Sequence, residues 1–256
     1  MMQKINYVWR VFATGLCFSV FGIGGLFLTL FVFPVQRLLC RHDHDRKALA
    51  RKTVHYSFKF FIGLMQLTGV SNFIIERKEY LQQLDGHLVM ANHPSLIDVV
   101  VLISIIPNAD CVVKAHLFKN PFMRGVIKNT GYISNADPEG LLADCKASLE
   151  AGNNLIIFPE GTRTTPGEEM RFQRGAANIA LRCNAKLTSL LIKVHPTTLT
   201  KMEKWYQIPE KRFEFNLQIA ETTPAPIQAN SEVFSKQSRS YTRELEAYFN
   251  EELDKI

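Results

Sequence analysis

The sequence predicts an α/β fold, a mixed, largely parallel sheet flanked by helices, with membrane-associated helices at the N-terminus. Three observations carry that prediction. A charge-free apolar run extends from Phe12 to Val35. Beyond Val70, short apolar strands alternate with amphipathic helices. Two polar segments, Asn92-His93-Pro94-Ser95-Leu96-Ile97-Asp98 and Phe158-Pro159-Glu160-Gly161-Thr162-Arg163, each follow a strand-like run, at the kind of strand end where sites in open α/β sheets form.

The first run is long enough to cross a hydrocarbon core of about 30 Å and too long for a signal-peptide h-region, so it is expected to stay in the protein as a membrane segment. Lys4 and Arg10 precede it; Arg37, Arg41, Arg46, Lys47, Arg51 and Lys52 follow it, which predicts a cytoplasmic main domain. Val54 to Val70 is apolar and aromatic but carries Lys59, which suits a helix in the interface or a re-entrant partner of the first segment. Gly22, Gly24 and Gly25 permit close packing or a bend. Residues 1–70 are therefore read as a membrane-anchoring helical segment and residues 71–256 as the α/β domain.

In that domain, Phe73 to Glu76 and Leu88 to Ala91 read as strands, Pro94 to Ile105 as a helix, and Cys111 to Lys114 as a strand. Asp137 is a candidate N-cap with Pro138 at the first helical position; Leu141, Leu142, Cys145 and Leu149 form the apolar stripe, and Gly152 ends the helix. Strands follow at Leu155 to Phe158, Leu190 to Val194 and Phe213 to Ile219, with a helix over Gly175 to Cys183. From Ser231 onward, Phe234, Tyr241, Leu245, Tyr248, Phe249 and Leu253 recur at helical spacing and predict a terminal packing helix.

Composition narrows the function. The 256 residues are 46% hydrophobic with 18 Phe and a mean hydropathy of −0.02, high for a soluble domain carrying 21% charged residues. The net charge of +6 favours an anionic partner, and its clustering between Arg37 and Lys52, beside the membrane segment, points to lipid and not to nucleic acid. Trp205-Tyr206, flanked by Lys204 and Lys211, is a second candidate headgroup contact. Five scattered cysteines without a C-x-x-C pair indicate a reducing compartment. His42-Asp43-His44-Asp45 lacks a second ligand pair, so no metal is expected.

His93 offers a neutral imidazole able to accept a proton from an alcohol, and Asp98, five residues on, is in reach to orient the ring and steady the imidazolium. A Ser nucleophile is missing: no G-x-S-x-G elbow exists, and Ser95 is poorly placed for attack. The nucleophile is then the substrate's own hydroxyl. In the second segment Gly161 permits close backbone approach, Thr162 donates a hydroxyl and Arg163 grips a phosphate, while Glu160 orients Arg163 or another donor. A base with its acid beside an anion clamp points to acyl transfer from a thioester onto a phosphorylated alcohol. An H-x4-D spacing is common by itself; its pairing with F-P-E-G-T-R makes it informative.

Both segments resemble the first and third sequence blocks of the glycerolipid acyltransferase family, which includes the lysophosphatidic acid acyltransferases. Lys114, Leu117, Phe118, Pro121, Phe122, Gly125 and Gly131-Tyr132-Ile133 resemble its second block, and Phe172, Gly175 and Ala176 a further element. The resemblance runs from about Leu88 to Val194. It implies a histidine base (His93), an orienting aspartate (Asp98), phosphate binding by Glu160 through Arg163, and a substrate-binding role for Lys114. It also implies a lysophospholipid acceptor, acyl-CoA or acyl-carrier protein as donor, membrane lipids as partners, and no cofactor. The sequence departs from the pattern at Ser134-Asn135-Ala136-Asp137, where the second block commonly ends Asp-Arg, and at Leu190 to Pro196, where an apolar run ending Pro-Val is usual. These departures allow a different, specialised lipid acceptor. A catalytically inactive lipid-binding protein is the rival from another class, and the intact His93, Asp98 and Arg163 count against it.

Overall fold

The computed structural model describes residues 2–226 and 234–256. Seven strands, β1 (Ser71–Ile75), β2 (His87–Ala91), β3 (Ala109–Val113), β4 (Ile133–Ser134), β5 (Asn154–Ile157), β6 (Lys186–His195) and β7 (Phe213–Ile219), pair in the order β1-β7-β6-β2-β5-β3-β4. Among the described residues β6 with β7 is antiparallel and the other pairings are parallel. The helices are α1 (Met2–Phe27), α2 (Phe33–Leu39), α3 (Asp43–Leu67), α4 (Lys78–Leu81), α5 (Asp98–Ile105), α6 (Arg124–Thr130), α7 (Pro138–Glu150), α8 (Arg174–Cys183) and α9 (Phe234–Asp254). The expected mixed, largely parallel α/β sheet is therefore present.

Strand alternation divides the core into two layers. Val89 and Ala91 of β2, Ile156 of β5 and Ile192 of β6 face a cluster shared with α3 and α5. Leu88, Met90, Leu155, Ile157 and Leu191 face the cluster containing α8 and α9. The chain leaves β2 toward α5 on one face and leaves β5 toward α8 on the other. Adjacent strands whose connections diverge open a crevice at their carboxyl ends, and both polar segments emerge there.

Boundaries moved where local signals were weak. Strand β6 starts at Lys186, four residues before the apolar run, because its amino-terminal half pairs with β2 from His87 onward. Helix α5 begins at Asp98 and not at Pro94. Residues 94–97 form a turn in which the Asp98 carboxylate accepts the Ser95 backbone N–H at 2.8 Å, so the acid holds a loop ahead of the helix. Asp137 does cap α7, accepting the Gly140 N–H at 3.1 Å, and Gly152 (φ 78°) ends it. Residues 231–233, the start of the expected tail helix, lie outside the described residues.

Helices α1 and α3 pack antiparallel: Phe21 stacks on Phe58 at 5.7 Å, and the Trp9 indole donates to Thr68 O at 2.9 Å. Helix α1 also lies along the α/β domain. Phe18 meets Trp205 at 6.0 Å, and a Cβ on Gly25 would come within 2.7 Å of Phe122 O, so this glycine is where the backbones approach. A π-helical turn at Leu28–Val32 joins α1 to α2. Residues 3–39 make one helical stretch apolar and long enough to cross a membrane. Two flanking charges do not face outward as their sequence position suggested. Arg10 is buried and donates to Pro209 O at 2.9 Å and to Glu210 O, and Arg51 is buried against Asp110 at 3.1 Å. Each was drawn inward because an unpaired guanidinium in an apolar layer costs far more than one with acceptors.

Candidate active site

Nδ1 of His93 stands 2.8 Å from Oδ2 of Asp98, which also accepts the Ser95 N–H. With the carboxylate accepting, the imidazole proton resides on Nδ1, and Nε2 is left as the basic nitrogen. Asp98 is fully buried, and burial pushes its carboxyl above the ordinary value, opposed by the His93 hydrogen bond. Phe158 stacks on the imidazole at 4.2 Å with 24° between the planes, which fixes the ring from one side. The Ser95 hydroxyl is buried and donates to Thr198 O at 3.0 Å, so it is no nucleophile.

The second segment is tied to the first through Glu160. Its Oε1 accepts the His93 backbone N–H at 2.6 Å and its Oε2 accepts the Thr164 hydroxyl, while the Thr164 N–H donates to His93 O at 3.1 Å. Glu160 is buried, and that burial raises its carboxyl above the ordinary range. Of the two alternatives the sequence left open for Glu160, the structure has the second: its carboxylate holds another donor, the His93 backbone N–H, and not Arg163. The Asn92 side chain adds a second anchor, exchanging two hydrogen bonds with the backbone of Ile192, at 2.8 and 2.6 Å.

Arg163 points into the same crevice. Its Nη1 donates to Leu199 O at 2.7 Å and to Thr200 O at 2.8 Å, so the guanidinium braces the 199–200 turn. Burial lowers its pKa, and the nearby Asp98 charge opposes that. Gly161 is exposed at φ 67°, in a turn closed by its N–H donating to Phe158 O at 3.0 Å; half-buried Thr162 comes next. Lys114 follows the last residue of β3, at the same edge of the sheet. It stands two strand spacings from β2, roughly 10 Å.

The structure therefore brings His93, Asp98, Glu160, Gly161, Thr162 and Arg163 together and leaves Lys114 on the rim. Phe158, Thr164 and the carbonyls of Leu199 and Thr200 belong to the site as well. Phe158 opens the recognisable segment, though no role was read for it, and Thr164 directly follows the segment; the two carbonyls carry no sequence signal. In the departing stretch, Asn135 Oδ1 accepts the Ala115 N–H at 3.0 Å, an internal brace where a basic side chain was missing. Asp43, in the histidine and aspartate cluster, is engaged by Arg46 and by Lys47 at 2.9 Å. Among the described residues no group of three His, Cys, Asp or Glu is arranged to hold a metal.

An apolar cavity of about 310 Å³ lies beside the histidine and aspartate, walled by Leu96, Ile97 and Leu199 next to the site and by Phe18, Phe58 and Phe61 from the helix pair.

The fold matches the crystal structure of the 1-acyl-sn-glycerophosphate acyltransferase of Thermotoga maritima, with a TM-score of 0.63 and 21% identity over 96% of this chain and 97% of that one. In sequence, the chain is 35% identical over 112 residues to a 1-acyl-sn-glycerol-3-phosphate acyltransferase of Helicobacter pylori, covering 41% of this chain and 47% of that protein. It is 23% identical over 210 residues to the human beta enzyme of the same name, covering 75% of this chain and 69% of that one. The chain spans about half the length of the first curated relatives it matches. Residues 72–199, half of the chain and the part that holds both polar segments, match the Acyltransferase family model, and the chain belongs to that family.

Proposed function

We propose that this protein is a membrane-bound O-acyltransferase. It moves a fatty acyl group from an acyl thioester, acyl-CoA or acyl-carrier protein, to the free hydroxyl of lysophosphatidic acid or a similar lysolipid. The observation that carries the reading is the His93–Asp98 pair, 2.8 Å apart, tied to the Glu160–Arg163 turn through Glu160 and next in the chain to Leu96 and Ile97 of an apolar cavity. The relatives' names support a lysophosphatidate acceptor.

In this reading the acceptor hydroxyl attacks the thioester carbonyl while His93 Nε2 takes its proton. The C–O bond forms, the C–S bond breaks, and the proton passes to the leaving thiolate. Asp98 keeps Nδ1 protonated and steadies the imidazolium. Arg163 and the 161–162 backbone hold the acceptor phosphate, with Lys114 near enough at the rim to add charge. The acyl chain occupies the apolar cavity, and the exposed face of α1 to α3 meets lipid. Exposed Arg37, Arg41 and Lys52 favour the cytoplasmic leaflet.

Acyl transfer by purified protein in detergent, from a labelled thioester to lysophosphatidic acid, tests the reading. His93→Ala should lower turnover by a factor on the order of 10³ with the fold retained. Retained turnover would remove His93 as the base. A second reading, the same chemistry on a specialised lipid acceptor, draws on the stretch Ser134-Asn135-Ala136-Asp137, which lacks a basic residue and in which Asn135 braces the Ala115 backbone. Activity confined to another lipid alcohol in the same assay would select it.

A further inference from the structure

Helices α8 and α9 cover the face of the sheet opposite the one packed by α3 and α5. Between them lies a depression of about 510 Å³ lined by Arg174, Arg239, Arg243, Phe172, Thr242 and Glu246. The three arginines are exposed, and among the described residues no carboxylate pairs with any of them. Arg239 and Arg243 stand one turn apart on α9, a spacing at which like charges repel. Helix α8 opens at Arg174 with no acid in its first turn, so its dipole adds to the positive potential there. The single carboxylate in the lining, that of Glu246, is engaged by the fold: its Oε2 accepts the Phe172 N–H at 2.7 Å. Unpaired guanidiniums gathered around one concavity repel one another, and a bound phosphate would relieve them all. The depression is joined to the candidate site through residues 172–174. Gln173 donates its N–H to Pro159 O at 2.7 Å, and its Cγ lies 3.3 Å from where a Cβ on Gly161 would stand. Arg174 follows one Cα step later, about 3.8 Å. Arg163, by contrast, is bonded to Leu199 and Thr200, and Leu199 belongs to the layer shared with α3 and α5. One turn thus has an arginine on its lipid-facing side and a separate group of three beyond it, away from the membrane helices.

We propose that Arg174, Arg239 and Arg243 bind the phosphate groups of a coenzyme A thioester, which makes acyl-CoA the donor. The inference rests on the reading of the site as an acyltransferase. With the thioester carbonyl at His93 and the acyl chain in the apolar cavity, the donor's water-soluble end must leave the crevice away from lipid, and the arginine depression lies in that direction. The long pantetheine arm crosses the Glu160–Arg163 turn to reach it. A carrier protein would need a contact surface of roughly 800 Å² on each partner, whereas the three guanidiniums here surround one small concavity, which suits the pyrophosphate and ribose phosphate of coenzyme A. The three arginines are substrate-binding residues for the donor, separate from the Arg163 clamp for the acceptor.

The test measures transfer to lysophosphatidic acid from three donors with the same acyl chain: acyl-CoA, acyl-pantetheine, which lacks the phosphates, and acyl-carrier protein. Wild type is compared with Arg239→Gln/Arg243→Gln, two exposed changes that keep helix propensity. The variant should raise the KM for acyl-CoA by about tenfold, as the loss of two exposed charge pairs predicts, with kcat unchanged. Its KM for acyl-pantetheine and for lysophosphatidic acid should stay at the wild-type value. Raised salt should weaken acyl-CoA in the wild type and leave acyl-pantetheine unaffected. An unchanged KM for acyl-CoA, an equal loss on acyl-CoA and acyl-pantetheine, or use of acyl-carrier protein alone would overturn the proposal while leaving acyl transfer intact. Should no donor support transfer to any acceptor, the acyltransferase reading fails instead. Calorimetric binding of free coenzyme A then decides the depression separately: binding about tenfold weaker in the variant upholds the phosphate site, and equal or absent binding in both proteins overturns it.

Discussion

Glu160 acts at the junction of the two site segments, where one carboxylate accepts both the His93 N–H and the Thr164 hydroxyl. Burial raises its pKa, so the folded protein binds a proton more readily at this group than the unfolded chain does. The sign follows: the ionised group costs stability at neutral pH, and the cost fades as pH falls through the folded pKa toward the ordinary carboxylate range. Glu160→Gln keeps an acceptor for His93 and can donate to Thr164, so it should retain most activity. Its stability relative to wild type should be most favourable at neutral pH and decline as pH is lowered, as read by unfolding temperature across a pH series. Glu160→Ala strands the His93 N–H and should cost about 1–3 kcal/mol, together with most of the activity. A Glu160→Gln advantage that grows toward acid would contradict the burial argument. The sequence singled out both segments and left Glu160 to orient Arg163 or another donor, without naming which donor. Its actual partner is 67 residues away and became adjacent because β2 lies beside β5, an order that no local pattern encodes.

Among the elements, α3 is fastened to the sheet by the Arg51–Asp110 pair at 3.1 Å, with Asp110 also accepting the Ser148 hydroxyl at 2.7 Å and the Cys111 N–H at 2.9 Å. Both charges are buried, and burial pushes the Asp110 carboxyl up, with Arg51 the first influence opposing it. Removing one partner leaves the other charged and unpaired. Arg51→Met should therefore cost about 3–5 kcal/mol in chemical denaturation followed by tryptophan fluorescence, and Arg51→Met with Asp110→Leu should recover most of it. Equal losses in the single and double variants would mean that packing by the Arg51 stem, not charge, holds α3. Six of the seven strands, the α7 cap and the packing face of α9 were legible because each is written in local periodicity or cap chemistry, whereas the two-residue β4 is too short to carry a period. Arg51 was not, since its sequence neighbours Arg46, Lys47 and Lys52 make it look like one more basic flank, and Asp110 is 59 positions on. The α5 start was misread for a similar reason: Pro94 signals a helix, but Asp98 spends its carboxylate on the preceding turn and on His93.

At the scale of the molecule, α1 is bound to the α/β domain along its length, through Arg10 to the 209–210 backbone and through Gly25 to Phe122. The helix between those points covers some fifteen residues, about 22 Å at 1.5 Å per residue. We infer that a helix held side-on to the α/β domain over that distance lies along the membrane surface, with the domain beside it, and does not span the bilayer. Its outer face, with Val8, Phe12, Ile23 and Phe27 from α1, Leu38 and Leu39 from α2, and Phe60 and Leu67 from α3 all exposed, suits immersion in a single leaflet. In this arrangement the apolar cavity, whose walls include α1 and α3, lies level with the lipid from which a lysolipid would enter. Both ends of the α1–α2 unit should then lie on one side of the membrane. With the partly exposed Cys40 and Cys183 replaced by serine, single introduced cysteines at exposed Lys4 and His42 in protein bound to sealed vesicles should both react with an impermeant maleimide without detergent. A spanning helix would protect one of the two until the vesicles are opened. Phe60→Glu with Leu67→Glu should shift the protein from vesicle-bound to free in co-sedimentation while leaving turnover on detergent-dispersed substrate within about twofold, because neither side chain faces the site and the two substitutions remove only apolar area offered to lipid.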